Sequence, residues 1–133
     1  MKLLLDTHIW IWWLTSSSPL KVKERASLDE AADAGRLCLS AISMWEAQLL
    51  HSKARLELPL RFSDWLERAT DPRIVALLPL DRGVVIALDD LPTSFHGDPA
   101  DRLIVATARA HDLPLATRDR AIRRSRTVEL WKP

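Results

Sequence analysis

The stretch KLLLDTHIWIWWL, residues 2–14, changes from strand to helix around one acidic residue. Lys2–Leu5 is a short apolar run of the kind that forms buried strands, and His8–Leu14 is predicted to be helical. Asp6 lies between the two. A carboxylate that ends an apolar strand is costly unless it is paired, so Asp6 is the first candidate functional residue.

The rest of the chain repeats this alternation of short apolar runs and helical patterns. Further strands are predicted at Leu37–Leu39, Ile74–Leu78, Leu115–Thr117 and Val128–Leu130. Further helices are predicted at Lys21–Ala34, Ala41–Ala54, Ser63–Ala69, Gly83–Asp89, Pro99–His111 and Arg120–Arg123. Short connections between such elements predict right-handed crossovers. The predicted fold class is therefore α/β, a three-layer domain whose central, mostly parallel sheet of about five strands is flanked by helices.

Length and composition favour one globular domain, residues 1–133. The chain is 47% hydrophobic and 28% charged, as ordinary globular domains are. Its one cysteine, Cys38, rules out a disulfide framework within the chain and lies in an apolar run. The apolar runs are too short for a membrane span, and Asp6 interrupts the one that would resemble a secretory signal. We therefore expect a cytoplasmic protein that does not contact membranes.

Four acidic residues are expected to meet at one edge of the sheet. Asp6 ends the first strand, Glu46 lies in the second turn of the helix after the second strand, Asp101 is in the first turn of the helix opened by Pro99, and Asp119 closely follows the fourth strand. In open α/β sheets, ligands gather at the carboxyl ends of the strands. The four carboxylates are therefore predicted to surround one pocket.

Such a cluster predicts a bound divalent cation. Two carboxylates about 4 Å apart repel each other by roughly 4 kcal/mol at an effective dielectric constant near 20. A cation reverses the sign of this interaction, and hard oxygen ligands favour Mg²⁺ or Mn²⁺. A metal ion held in this way can activate water and neutralise charge on a phosphate group. The cluster therefore suits phosphodiester hydrolysis.

Four segments carry a family resemblance. They are LLDTH (residues 4–8), SMWEA (43–47), DPADRLI (98–104) and LATRD (115–119). In order and spacing they resemble the signature blocks of PIN-domain nucleases, above all the VapC-type toxins of bacterial type II toxin–antitoxin pairs. The resemblance extends from residue 2 to about residue 131.

This resemblance implies a function as well as a fold. It implies that the catalytic and metal-binding residues are Asp6, Glu46, Asp101 and Asp119, with Mg²⁺ or Mn²⁺ as the cofactor. The expected activity is that of an endoribonuclease, which cleaves single-stranded or looped RNA. A cognate antitoxin is expected to hold the toxin inactive, and a homodimer or a toxin–antitoxin hetero-oligomer is expected. A catalytically degenerate PIN-like binding or regulatory module and a DNA nuclease with the same metal site are the alternatives.

Residues beside the four acids are candidates for accessory roles. Asp98 precedes Pro99 and is predicted to cap the helix, with metal contact as a second role. Thr7 and Thr117 could orient a carboxylate or a metal-bound water, or serve in turns. Arg102 could contact substrate phosphate or brace a carboxylate. The two histidines that flank the acidic segments, His8 and His96, receive no definite role.

Two further features point towards partners. From Arg102 to Arg126 there are seven arginines against two aspartates, which is compatible with a phosphate-backbone ligand. The helix of residues 9–14 is apolar all round and contains Trp10, Trp12 and Trp13. One side can face the sheet, and the other is either core or a surface for a second subunit or an inhibitory peptide.

Overall fold

The computed structural model describes residues 1–15, 19–95 and 97–133. The strands are β1 (Leu3–Leu5), β2 (Leu37–Ser40), β3 (Ala76–Leu78) and β4 (Leu115–Ala116). The helices are α1 (Thr7–Leu14), α2 (Val22–Asp33), α3 (Ala41–Ser52), α4 (Phe62–Ala69), α5 (Arg82–Asp89), α6 (Pro99–Ala110) and α7 (Arg120–Ser125). Every predicted helix is present, with ends within two residues of those expected. Within these ranges, no helix is both long enough and apolar enough to cross a membrane.

The described strands form one parallel sheet in the order β3-β2-β1-β4. The first strand lies inside the sheet, where Leu4 pairs with Cys38 on one side and with Leu115 on the other. The helices between the strands carry the chain back to the start of each next strand, as parallel pairing requires. This confirms the predicted α/β class with a parallel sheet flanked by helices.

Two separate hydrophobic clusters show that helices cover both faces of the sheet. Successive residues of a strand point to opposite faces. Leu5 and Leu39 accordingly pack with Trp10 of α1 in one cluster, whereas Leu4 packs with Ile104 of α6 in the other. Leu4, Leu5 and Trp10 have no exposed surface. The domain therefore has three layers, and its core is divided by the sheet.

The predicted fifth strand, Val128–Leu130, differs from the structure. It makes a single parallel bridge to Leu115 at its last residue and no strand of its own among the described residues. Just before it, Arg126 has a left-handed backbone (φ 56°), and the carbonyl oxygen of Thr127 accepts a hydrogen bond from Arg109 (2.8 Å). The contact of this segment with β4 consists of two backbone hydrogen bonds at Leu115, one to the carbonyl oxygen of Glu129 (2.9 Å) and one from the N–H of Trp131 (3.0 Å).

Candidate metal centre

Asp6 occupies the junction between β1 and α1. Its backbone N–H donates to the carbonyl oxygen of Ala116 (2.9 Å), which fixes the end of β1 against β4. Both oxygens of its buried carboxylate accept hydrogen bonds, Oδ1 from the N–H of Thr7 (2.8 Å) and Oδ2 from the hydroxyl of Thr117 (2.6 Å). The carboxylate is 5% exposed. Its position is therefore set by two strands and one helix.

Thr117 connects Asp6 to Asp119. Its hydroxyl donates to Asp6 and accepts a hydrogen bond from the backbone N–H of Asp119 (3.0 Å). Asp119 is also the N-cap of α7, because its Oδ1 accepts from the N–H of Ile122 (2.9 Å). The short turn after β4 therefore holds two acidic side chains in a defined relation.

Glu46 is held by a hydroxyl pair beneath it. The helix α3 follows β2 directly, with Ser40 as its N-cap, and this places Glu46 in the second turn. The buried hydroxyl of Thr7 donates to Oε1 of Glu46 and lies 2.8 Å from Oγ of Ser43. Because a hydroxyl carries one hydrogen, Thr7 donates to the ionised carboxylate and accepts from Ser43.

Asp98 caps a helix, as predicted, and its carboxylate also lies near those of two other acids. As the N-cap of α6, it accepts a hydrogen bond from the N–H of Asp101 (2.8 Å), and Pro99 follows it at the first helical position. One carboxylate oxygen from each of Asp98, Asp101 and Glu46 lies within 4.8 Å of the other two. Asp98 is thus a capping residue whose carboxylate also belongs to a compact acidic group.

Gly97 allows the chain to pass close to this group. A Cβ atom at position 97 would lie 2.7 Å from Cζ of Phe95 and 3.1 Å from Cβ of Asp101. The first of these distances is too short for any real Cβ contact, and the ring of Phe95 is buried. A side chain at residue 97 would therefore displace either the core or Asp101.

The four acids predicted from the sequence and Asp98 lie in one cleft, which we call the acidic cleft. Its volume is about 340 Å³. It is lined by Asp6, His8, Trp12, Glu46, Asp98, Asp101, Arg118 and Asp119. Among the described residues, five carboxylates therefore share one small volume. At 4.8 Å, two such charges repel by about 3 kcal/mol at an effective dielectric constant of 20.

The pKa values of three of these acids are raised, chiefly by burial. Burial raises the pKa of Asp6 above its ordinary value, although the hydrogen bonds from Thr117 and Thr7 act in the opposite direction. Burial likewise raises the pKa of Glu46. Burial and then the charge of Asp98 raise the pKa of Asp101 to about 7. Ionisation of all the carboxylates is therefore unfavourable without a compensating positive charge.

The remaining candidate residues, Arg102 and the two histidines, do not share one location. Arg102 lies in the same helix as Asp101, but its guanidinium donates to the carbonyl oxygen of Phe95 (3.0 Å), so it braces the segment before Gly97. His8 is exposed at the cleft, with its ring centroid 5.7 Å from that of Trp12. His96 lies outside the described residues.

The sequence interpretation missed Arg118 at the cleft. This arginine pairs with Glu24 of α2, and its guanidinium carbon is 5.9 Å from the ring centroid of Trp12. Its signal in the sequence was its place between Thr117 and Asp119. Its pairing could not be predicted, because it depends on Glu24 of α2, which is distant in sequence.

A parallel α/β sheet with an acidic cluster at the carboxyl ends of its strands is the arrangement expected for PIN domains from the resemblance above. The family model of the PIN domain matches residues 3–127, and the chain belongs to this family. It is 38% identical over 132 residues to Ribonuclease VapC22 of Mycobacterium tuberculosis (strain ATCC 25618 / H37Rv). The alignment covers 96% of this chain and 97% of that protein.

Solved structures with the same architecture agree with this assignment. FitAcB from Neisseria gonorrhoeae has a TM-score of 0.67 and 26% identity, with 98% of this chain and 96% of that chain covered. FitAB bound to an IR36 DNA fragment has a TM-score of 0.69 and 25% identity, with 97% and 93% covered. VapBC2 from Rickettsia felis, bound to a DNA fragment from its promoter, has a TM-score of 0.74 and covers 98% of both chains. Its 16% identity supports the shared fold alone.

Proposed function

We propose that this chain is an endoribonuclease, the toxin of a toxin–antitoxin pair, and that it uses Mg²⁺ or Mn²⁺ in the acidic cleft. The observation that carries the proposal is the convergence of five carboxylates in one cleft. Such an arrangement is unfavourable by itself and favourable around a divalent cation. The similarity to Ribonuclease VapC22 supports RNA as the substrate. RNA and a protein antitoxin as partners are consistent with a cytoplasmic protein.

The donor set of the cleft fits a hard divalent ion. The proposed ligands and catalytic residues are Asp6, Glu46, Asp101 and Asp119, and Asp98 adds a fifth carboxylate. All are oxygen donors, which suit Mg²⁺ or Mn²⁺ better than metals that prefer nitrogen or sulfur. When bound, the ion supplies water activation and neutralises charge on the scissile phosphate.

The two threonines position the carboxylates in this proposal. Thr117 holds one oxygen of Asp6, and Thr7 holds one oxygen of Glu46. Each carboxylate is thereby oriented before any ion or substrate arrives. Such outer hydrogen bonds typically affect metal affinity or activity by about 10- to 100-fold when they are removed.

The antitoxin is proposed to occupy an apolar groove next to the acidic cleft. Trp10 is fully buried, and its indole N–H donates to the carbonyl oxygen of Ala69 (3.0 Å), so it belongs to the core. Trp12 is half-buried and lines both the acidic cleft and a groove of about 660 Å³ that contains Leu14 and Trp65. An apolar antitoxin segment in this groove could direct a cationic side chain to the carboxylates.

A homodimer is proposed to form through α5. Val85 and Ile86 of this helix are 53% and 57% exposed. Exposed large apolar side chains are typical of protein interfaces.

Single charge-neutralising variants test the metal site. We expect Asp6→Asn, Glu46→Gln, Asp101→Asn and Asp119→Asn each to lose RNA cleavage, because each removes a proposed ligand. Cleavage of single-stranded RNA is measured with Mg²⁺, with Mn²⁺ and with EDTA, and Asp89→Asn, on the exposed surface of α5, is the matched control. Wild-type rates in three of the four variants would overturn the assignment.

Asp98→Asn separates the cap from the charge at that position. Asparagine caps a helix about as well as aspartate, so α6 is retained, but one carboxylate leaves the compact group. We expect partial loss of cleavage, smaller than for the other four, and a larger loss at low metal concentration. If Asp98→Asn cleaves RNA as slowly as Asp101→Asn, Asp98 contributes as much to the metal site as Asp101 does.

A further inference from the structure

A second cleft of opposite charge lies beside the acidic cleft. It has a volume of about 440 Å³, and we call it the basic cleft. Its cationic side chains are Lys21, Arg118, Arg120 and Arg123, and Trp131 forms part of its wall. Glu24 is the one carboxylate side chain among the described residues that line it, and Arg118 pairs with it. The basic cleft therefore has a clear excess of positive charge.

The basic and acidic clefts share a wall. Arg118 lines both of them. Thr117 also connects them, because its hydroxyl binds Asp6 while its carbonyl oxygen accepts a hydrogen bond from Arg123 (3.1 Å). A chain-like ligand that leaves the acidic cleft past Arg118 would therefore enter the basic cleft directly.

A ribonuclease with this acidic cleft needs affinity for RNA from elsewhere on its surface. Five carboxylates repel a phosphate backbone, and a metal ion offsets that repulsion only locally. Affinity for nucleic acid comes mainly from lysine and arginine near the phosphates. Of the seven arginines from Arg102 to Arg126, three donate to backbone carbonyl groups within the fold, namely Arg102, Arg109 and Arg123. The arginines that line the basic cleft are Arg118, Arg120 and Arg123.

We propose that the basic cleft binds the phosphate backbone of single-stranded RNA next to the bond that is cut. The half-buried indole of Trp131 provides a surface on which a base can stack, as aromatic residues do in single-strand binding. This inference rests on the proposed ribonuclease function and adds the place where the substrate strand is held. An acidic peptide would also be attracted, but continuity with the acidic cleft favours a ligand that extends into it.

The test compares two double variants with the same change in net charge. Lys21→Gln/Arg120→Gln removes two cations from the basic cleft. Lys23→Gln/Arg124→Gln removes two exposed cations from the same helices, α2 and α7, at positions outside the described lining of either cleft. Binding of a fluorescent single-stranded RNA of mixed sequence is measured in EDTA, so that no metal-dependent cleavage occurs, over a range of salt concentrations.

We expect the first double variant to bind the RNA roughly tenfold more weakly at low salt than the wild type. Its salt dependence, the slope of log K against log salt, should become shallower by about 1.4, since each phosphate contact on a single strand contributes about 0.7. The second double variant should change affinity by less than about twofold. Equal losses in both would mean that only net charge matters, and the proposal would be wrong.

Two further measurements distinguish this proposal from others. If the first double variant binds RNA normally but binds the antitoxin more weakly, the basic cleft is a protein site and the proposal fails. If the wild type binds RNA through these cations but does not cleave it with Mg²⁺ or Mn²⁺, the proposed catalytic function fails while the binding site stands. Normal cleavage together with unchanged RNA binding in the variant would reject the binding site alone.

A substitution at the wall of the basic cleft tests base stacking. Trp131→Leu keeps an apolar side chain against the core but removes the aromatic surface. We expect at least fivefold weaker RNA binding, since stacking of one base on an aromatic ring contributes about 1 kcal/mol or more. The melting temperature of the variant is measured beside it. Unchanged RNA affinity in the folded variant would remove Trp131 from the site.

Discussion

Asp101→Asn should stabilise the metal-free protein at pH 8. The pKa of Asp101 is raised from 3.8 to about 7, chiefly by burial and then by the charge of Asp98. A difference of about 3 pKa units corresponds to about 4 kcal/mol of free energy, at about 1.36 kcal/mol for each unit. Asp101 is partly exposed, and solvent screening reduces this to about 2 kcal/mol. Asparagine keeps the shape of the side chain and removes the charge.

The sign of the effect follows from proton binding. The folded state binds the Asp101 proton more tightly than the unfolded state, so this group destabilises the fold once it is ionised. The free energy of unfolding of the wild type therefore decreases as the pH rises from about 4 to above 7. The helix dipole acts in the opposite direction. An ionised carboxylate in the first turn of α6 is stabilised by about 0.5 kcal/mol. That gain is smaller, so the net effect of the substitution remains stabilising at pH 8.

Thermal melting in EDTA measures this difference. At pH 8 the melting temperature of Asp101→Asn should exceed that of the wild type by about 5 °C, given roughly 3 to 4 °C for each kcal/mol in a domain of this size. At pH 3, below the ordinary pKa of the group, the gap should nearly vanish. Asp89→Asn, an exposed acid on α5, is the control and should match the wild type. With Mg²⁺ at a hundredfold excess over its Kd, the wild type and the Asp89→Asn control should gain about 2.7 kcal/mol, and Asp101→Asn should gain less.

Two results would refute this reasoning. If Asp101→Asn is less stable than the wild type in EDTA at pH 8, the ionised Asp101 carboxylate is not destabilised by burial and by its neighbours. If the gap is the same at pH 3 as at pH 8, it arises from packing or helix propensity and not from ionisation. Equal stabilisation of both proteins by Mg²⁺ would place the ion elsewhere.

Substitutions at four other residues test the remaining proposed roles. Thr117→Val should lower the initial rate of RNA cleavage about tenfold or more, whereas Thr117→Ser should retain it. A wild-type rate for the valine variant would exclude a positioning role for Thr117. Trp12→Ala should weaken antitoxin binding by about 2 kcal/mol in calorimetry. Trp10→Ala should instead lower the free energy of unfolding by about 3–5 kcal/mol. Unchanged antitoxin affinity in Trp12→Ala would mean that the antitoxin binds elsewhere. Ile86→Lys should convert the proposed dimer to a monomer in light scattering. A dimer that persists in this variant would exclude α5 as the interface.

The parts of this structure that could be predicted from the sequence follow local rules. The helices have clear caps and periodicity, and Asp6 is recognisable because it interrupts an apolar strand. Glu46 and Asp101 are less conspicuous, since exposed helical acids are common, and it was the order of four segments that indicated them. Their convergence then followed from the parallel sheet, because the carboxyl ends of its strands lie at one edge.

The parts that could not be predicted depend on contacts between distant segments. The apolar run Val128–Leu130 resembles a strand, but only its last residue pairs with β4, and the residue before the run is bound by Arg109, which is distant in sequence. The roles of the arginines could not be separated either. Arg102 and Arg118 each adjoin a cluster acid in the sequence, yet one braces a loop and the other pairs with Glu24.

Three acids of the cleft combine a helix-capping role with their proposed role in metal binding. Asp6, Asp98 and Asp119 are the N-caps of α1, α6 and α7, so three helix N-termini are directed towards the cluster. The partial positive charge of each N-terminus stabilises a nearby carboxylate by about 0.3–1 kcal/mol, which offsets part of the repulsion. Alanine at these positions would remove a cap, at about 1 kcal/mol, together with a charge. Asparagine keeps the cap, so the Asp→Asn variants are the ones in which lost cleavage reports the proposed metal ligand and not a frayed helix.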